Sequence, residues 1–315
     1  MKDQIIDLWK ISFNDTDDFM RLWFDRVYKD EQTFVIRKNG QIVSALQILP
    51  YKMTYCGTTI PAGYICGVCT LPSERGKGYM TQLMHKAINE MKSNYYALAF
   101  LIPATTGLFD LYRRFSFTNA FDYAIEEVQF FCHFKHHEPM RNIEFQRIVS
   151  HDDLSSKIIY PYYHTTQKAH DCIVLHSTSQ YETICLDHML GGGEIWVAYV
   201  NDQPVGVAFS SPEKDQSLPI REIMCHNTEI KNQLIQAILN NHQLHKAKVR
   251  TLPTRSNALP YGMARIINKV EIIDLYRSFH THSPLPDLFD MDIPSLTQTL
   301  LQYPQRQAYM NLMLD

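Results

Sequence analysis

The sequence predicts an α/β chain built as two similar halves in tandem, followed by a short helical C-terminal segment. Three observations carry this. A strand-like run, Gly67-Val68-Cys69-Thr70, leads through a basic glycine turn, Arg75-Gly76-Lys77-Gly78, into a strongly amphipathic helix. Asn39-Gly40, the strongest short hairpin signal, separates two runs of strand composition. After a polar, Pro-broken stretch at 133–142, the same order of elements recurs.

The elements follow in order. Ile5 to Trp9 suggest a short helix. Asn14-Asp15-Thr16 offers caps for a second, whose apolar stripe is Phe19, Met20, Trp23, Phe24 and Val27. Thr33–Lys38 and Gln41–Leu49 read as strands, Lys52–Cys56 as a third and Ala62–Leu71 as a fourth. Between Tyr79 and Lys92 the residues Met80, Leu83, Met84, Ala87, Ile88 and Met91 fall on one helical face. Tyr95–Ile102 suits a buried strand. A short helix follows Pro103, and Phe117–Phe131 is strand-like. In the second half, Ile143–Val149 is a strand and His151–Ala169 and Thr178–Leu190 are helices. Glu194–Val200 and Pro204–Ser210 form a hairpin across Asn201-Asp202. Strand Ile220–His226, helix Glu229–Asn241 and strand Lys246–Leu252 complete it. Tyr261-Gly262-Met263-Ala264-Arg265-Ile266-Ile267 opens an apolar helical pattern to about Phe279, and Ile293 to Asp315 is largely helical in pattern.

Composition sets bounds. A chain of 315 residues suits two or three domains. Net charge is −3, so no global field favours nucleic acid or an anionic membrane. Seven scattered cysteines, an odd count, point to reduced thiols and a cytoplasmic setting. No apolar run approaches a membrane span, and the first residues lack a signal core.

The glycine turn carries the chemistry. It bares backbone N–H groups at the positive end of a helix dipole, and Arg75 and Lys77 add charge there, which makes an anion site. An ordinary helix-opening turn uses Gly as well. The spacing fits neither a Walker A loop nor a dinucleotide fingerprint. Cys66 and Cys69 have the spacing of a zinc or redox pair, but an odd offset on a strand directs the thiols to opposite faces. No metal is expected, and His133, His136 and His137 suit a solvated linker. Trp23, Phe24 and Phe34 suit either an acceptor pocket or plain core.

Arg75-Gly76-Lys77-Gly78 resembles the pyrophosphate loop of GNAT acyltransferases, R/Q-x-x-G-x-G/A, in a variant with an extra Gly. Leu108 to Phe117 resembles the GNAT helix that ends Tyr-x-x-Phe-Gly-Phe, with Ser116 in place of the Gly. Two such halves and a tail opening Met-Ala-Arg-Ile-Ile resemble the tandem enhanced-intracellular-survival (Eis) type. That resemblance implies two GNAT-like domains, each a mixed, mostly antiparallel sheet flanked by helices. They are a catalytic acetyl-CoA-binding domain over 1–135 and a degenerate domain over 136–260, which has Cys225-His226-Asn227-Thr228-Glu229 in place of the loop. A shortened sterol-carrier-like region over 261–315 follows.

The resemblance implies an N-acetyltransferase with acetyl-CoA as co-substrate. Val68, Cys69 and Thr70 would pair with the pantetheine arm, one N–H polarising the thioester oxygen. Gly76, Lys77, Gly78, Tyr79 and Met80, with Arg75, would hold the diphosphate. Tyr112 would be the general acid, the other reading being a wedge between helix and sheet. Asp315, at the end of Tyr309 to Asp315, would bring a carboxylate to the site as proton acceptor, the other reading being a packed terminal helix. The acceptor is a small-molecule or peptide amine, and a homo-oligomer is compatible with the chain. The alternatives are a non-catalytic acyl-CoA-binding assembly module, or a tandem transferase using aminoacyl-tRNA.

Overall fold

The computed structural model describes residues 1–130, 142–151, 154, 156–252, 257–281, 287–305 and 308–314. The linker and histidines expected at 133–142 fall almost wholly outside them, as does Asp315.

Helix α1 (Lys2–Ser12) precedes α2 (Asp17–Arg26), whose cap is Thr16; its hydroxyl accepts from the Phe19 N–H at 3.2 Å. Strands β1 (Thr33–Lys38) and β2 (Gln41–Tyr55) form the expected hairpin, with Asn39 and Gly40 both at positive φ. Strand β2 is one element where two were expected. The pairing of β2 with β1 stops at Gln47, opposite Thr33, so the N–H that Pro50 lacks falls where β1 makes no demand on it.

Strand β3 (Thr58–Thr70) leads to α3 (Tyr79–Ser93), then β4 (Leu98–Leu101), α4 (Thr106–Arg113) and β5 (Thr118–Gln129). The second half supplies β6 (Glu144–Ile148), α5 (Ser156–Lys168), β7 (Val174–Leu175), α6 (Thr178–Leu190), β8 (Glu194–Val200), β9 (Gln203–Ser210), β10 (Leu218–Cys225), α7 (Thr228–Asn241) and β11 (Lys246–Thr251). Strand β12 (Leu259–Ile266), α8 (Lys269–Phe279) and α9 (Ile293–Leu300) follow.

Compact packing divides the chain into two units, and neither is one continuous stretch. The first comprises Met1–Asp122, Asp171–Val174 and Pro260–Tyr309. Its strands run β1-β2-β3-β4-β12 and then the first residues of β5. The pairings of β1 with β2, β2 with β3 and β4 with β12 are antiparallel, and that of β3 with β4 is parallel. Leu83, Met84, Ala87, Ile88 and Met91 of α3 are each at most 8 % exposed against this sheet. Burying such a Leu, Ile or Met is worth about 1.5–3 kcal/mol, which is what fixes the helix, and hence its N-terminus, beside β3.

The second unit comprises Tyr123–His170, Leu175–Leu259 and Met310–Asp315. Its strands run from the end of β5 through β11-β10-β9-β8 to β6, with β10 and β11 parallel and the rest antiparallel. Helix α7 packs its Ile230, Leu234, Ile235 and Ile238 on this sheet, as α3 does in the first.

Two expectations for the C-terminal region are corrected. Tyr261 to Ile267 is not helical: Met263–Ile266 pair antiparallel with Leu101–Leu98, and the helix begins only after Asn268. Residues 293–315 are not one helix either. Helix α9 ends at Leu300, Ala308 and Tyr309 bridge to Phe121 and Ile173, and Met310–Leu314 run on without helix, each at most 6 % exposed. In both places sheet partners far away in sequence override the local helical period. Residues 260–309, expected as a region apart, therefore pack with the first unit.

Candidate active site

Strands β3 and β4 pair in parallel only at Ala62–Tyr64 with Leu98–Phe100. Beyond Tyr64, β3 continues six residues to Thr70, while β4 stops at Leu101. The two strands thus part, and one edge of Ile65–Thr70 faces a gap. Along its other edge β3 stays paired with β2, where one irregularity falls between Ala45 and Gln47. Three steps on β3, Cys66 to Cys69, span two on β2. This is a β-bulge, and Gly67 takes it up at φ +59°.

The bulge has two consequences. A Cβ on Gly67 would lie 2.8 Å from Trp9 Cζ3, so α1 packs directly on bare backbone. Cys66 and Cys69 sit opposite Gln47 and Ala45, two residues apart on β2, so their side chains share a face. The expectation of opposite faces is corrected; the extra residue restores the parity. Both thiols are free, and burial pushes that of Cys69 up to about 12.

Of the residues expected along the pantetheine arm, Val68 packs against the α3 core, Cys69 is buried and Thr70 half-buried. The Ser44 hydroxyl, fully buried, lies 2.9 Å from the Cys69 carbonyl and 2.8 Å from Thr70 Oγ1. It ties the end of β3 to β2 and leaves the opposite edge open.

The glycine loop is exposed at Arg75, Gly76, Lys77 and Gly78. Gly76 and Gly78 stand at φ +76° and +80°, with nothing within 4 Å of an added Cβ. They are required for backbone conformation, not for space. Gly78 is the N-cap of α3, and the first helical bond runs from Gln82 N–H to its carbonyl. Among the described residues no backbone acceptor meets the N–H groups of Gly76 to Met80. They are the open donors of a helix start, and the dipole of a 15-residue helix stands behind them.

The charges around the loop are arranged otherwise than expected. Arg75 Nε donates to the Thr70 carbonyl at 3.2 Å, closing the loop onto β3. Lys77 is engaged with Glu74 at 3.0 Å, and Lys38 of β1 reaches the same carboxylate at 2.9 Å. These bonds hold Glu74 below the usual carboxylate range and raise Lys38. Sequence reading missed Lys38 and Glu74. The only signal for them was a Lys before the hairpin turn and a Glu before the loop.

Tyr112, near the end of α4, is 6 % exposed, and no hydrogen bond to its hydroxyl is made among the described residues. Burial, with the nearby Cys66 thiol adding to it, pushes its pKa up to about 12. The turn after α4 places Ser116 at φ +60°, the left-handed conformation in which a Gly would sit without strain. Arg265 of β12 donates to the Phe115 carbonyl at 2.6 Å and fixes that turn. So the Met-Ala-Arg-Ile-Ile segment supports the Tyr112 helix. Trp23 and Phe24 are buried, and Trp23 Nε1 donates to Gln47 Oε1 at 3.1 Å, so these rings serve as core.

The second unit has no counterpart of the loop. Asn227 Oδ1 accepts from the Ile230 N–H at 2.9 Å, an ordinary side-chain cap, and Glu229 stands in the first turn of α7.

Residues 2–120 match the acetyltransferase (GNAT) domain family. No curated protein sequence matches the chain. Among solved structures it is similar to a conserved protein of unknown function and probable N-acyltransferase from Enterococcus faecalis V583. The TM-score is 0.70 at 18 % identity, over 85 % of this chain and 70 % of that one. It is similar to a GCN5-related N-acetyltransferase from Anabaena variabilis ATCC 29413, with TM-score 0.65 at 18 % identity over 87 % and 71 %. It is also similar to Eis1 from Mycobacterium abscessus, with TM-score 0.66 at 11 % identity over 86 % and 72 %. At these identities the likeness is one of fold.

Proposed function

Because residues 2–120 are an acetyltransferase domain of the GNAT family, we propose that this chain transfers an acetyl group from acetyl-CoA directly to a primary amine, with Tyr112 as general acid. GNAT acetyltransferases use acetyl-CoA in general. The observation that carries the reading is the parting of β3 from β4 beside a loop of open N–H groups, with an unbonded tyrosine hydroxyl in the same unit.

The parts divide the work. Backbone N–H groups of Gly76 to Met80 and the Arg75 guanidinium grip the diphosphate. The free edge of Val68 to Thr70 takes the pantetheine amides. One N–H there polarises the thioester oxygen, an effect worth roughly 3 kcal/mol in the transition state. The amine attacks the thioester carbon, loses a proton, and the C–S bond breaks. Tyr112 gives its proton to the departing thiolate. A phenol held near 12 is fully protonated at neutral pH, which a donor requires. An alkylamine is neutral in only about one molecule in a thousand at pH 7, so a proton acceptor is needed. By resemblance to the Eis type we assign it to Asp315.

The test is a pair of variants. Tyr112→Phe should bind acetyl-CoA as wild type does and lower turnover about 10²–10⁴-fold; full activity removes Tyr112 from the mechanism. Arg75→Glu should abolish binding in calorimetry, and unchanged affinity rejects the loop assignment. Thiol release over an amine panel then identifies the acceptor.

A further inference from the structure

The Lys38–Glu74–Lys77 cluster is a charge arrangement that no sequence motif contains. Glu74 Oε1 lies 2.9 Å from Lys38 Nζ and Oε2 lies 3.0 Å from Lys77 Nζ. The carboxylate side chain is only 13 % exposed, while the two lysines are 46 % and 45 % exposed. One carboxylate therefore holds two ammonium groups, leaving one positive charge in excess. Lys38 also neighbours the side chains of Tyr79, the first residue of α3, and of Lys77. Its charge thus stands at the end of the helix where the N–H donors are open. Arg75 adds a second charge, which among the described residues meets a carbonyl and no carboxylate. A site with five open N–H groups and two excess cations suits a ligand of several negative charges, and a single phosphate monoanion would not use it fully.

We propose that Lys38 is a third cation of the phosphate grip, held at the loop by Glu74, and that it gives this site its preference for the full phosphate complement of CoA. The proposal rests on the acetyl-CoA reading above. Lys38 acts on the ligand through charge and hydrogen bonding. Glu74 is a positioning residue, since it acts through the two lysines.

Calorimetry on the full chain with CoA and dephospho-CoA tests this, alongside turnover of S-acetyl-pantetheine, which lacks every phosphate. Lys38→Ala should weaken CoA about 3- to 10-fold, and Lys38→Glu more, the range for the net contribution of one typical hydrogen bond made by an exposed side chain. It should also flatten the dependence of log Kd on log salt. S-acetyl-pantetheine turnover should not change, which a general structural defect could not mimic. Lys38→Arg should restore most of the affinity. A loss larger for CoA than for dephospho-CoA is expected; equal losses for the two would overturn the assigned preference for the full phosphate complement. Wild-type binding with unchanged affinity in both Lys38→Ala and Lys38→Glu overturns the proposal and leaves the acetyl-CoA reading intact. Failure of wild type itself to bind CoA overturns that reading.

Discussion

Glu222 offers the sharpest physical test of the second unit. It lies on β10 and is 2 % exposed. One carboxylate oxygen accepts the Leu312 N–H at 2.5 Å, and Arg250 Nη2 donates to the Met310 carbonyl at 3.3 Å, so the pair pins the C-terminal segment. Burial pushes the Glu222 carboxyl up to about 7, against the pull of the Leu312 N–H, Tyr163, Arg250 and Arg221. Tyr181 and Cys185 of α6 also face it, and burial keeps both uncharged. The sign follows. Between pH 4.5 and 7 the folded protein holds a proton that the unfolded chain releases, so this group's contribution to stability falls as pH rises. The full shift corresponds to about 3 kcal/mol, of which about 2–3 kcal/mol develops between pH 5 and pH 8. Glu222→Gln removes the ionisation but keeps an oxygen for the Leu312 N–H. Its stability relative to wild type should rise by that amount from pH 5 to pH 8. In thermal scans of wild type and variant this is roughly 5–10 °C of relative shift in the melting of this unit. His176 and His188, pushed down to about 3 and about 4 chiefly by burial, titrate in the opposite sense but are common to both proteins, so they cancel. Melting curves that stay parallel across this range would refute the reasoning.

Three further outcomes are expected. Gly67→Ala should lower stability by about 1–3 kcal/mol, from its positive φ and the 2.8 Å approach to Trp9, and should weaken CoA binding because the bulge shapes the open edge of β3; an unmoved denaturation midpoint would count against the bulge. Glu194 accepts from Arg147 at 2.5 Å, Trp196 Nε1 at 2.9 Å and His242 Nε2 at 3.0 Å; Glu194→Ala should cost about 2–3 kcal/mol in urea unfolding, and a loss below the scatter of the method would show the network to be idle. Removing Leu314 and Asp315 should slow turnover and shift the pH–rate profile while leaving CoA affinity unchanged; an unaltered profile dismisses Asp315 as proton acceptor.

What the sequence determined by itself is local. The hairpin at Asn39-Gly40, the caps at Thr16 and Asn227, the apolar stripe of α3 and the glycine loop depend on residues within one or two turns of each other. Their conformations follow from φ preferences and helix periodicity, so they are legible from neighbours in the chain. The same holds for Tyr112, placed by a short helix and the turn at Ser116. Tertiary structure decided whatever depends on a partner far away. Met263 to Ile266 read as helix and became a strand because β4 had an edge to fill. Residues 308–314 are not helical because distant backbone holds Ala308 and Tyr309 and Glu222 holds Leu312. Cys66 and Cys69 came to one face through a bulge visible only in the register with β2. Lys38 joined the loop because the β1–β2 hairpin returns it to Glu74, 36 positions along the chain. Spacing within a segment carries no trace of such pairings; they are fixed by which unpaired edges and charges the folded chain brings together.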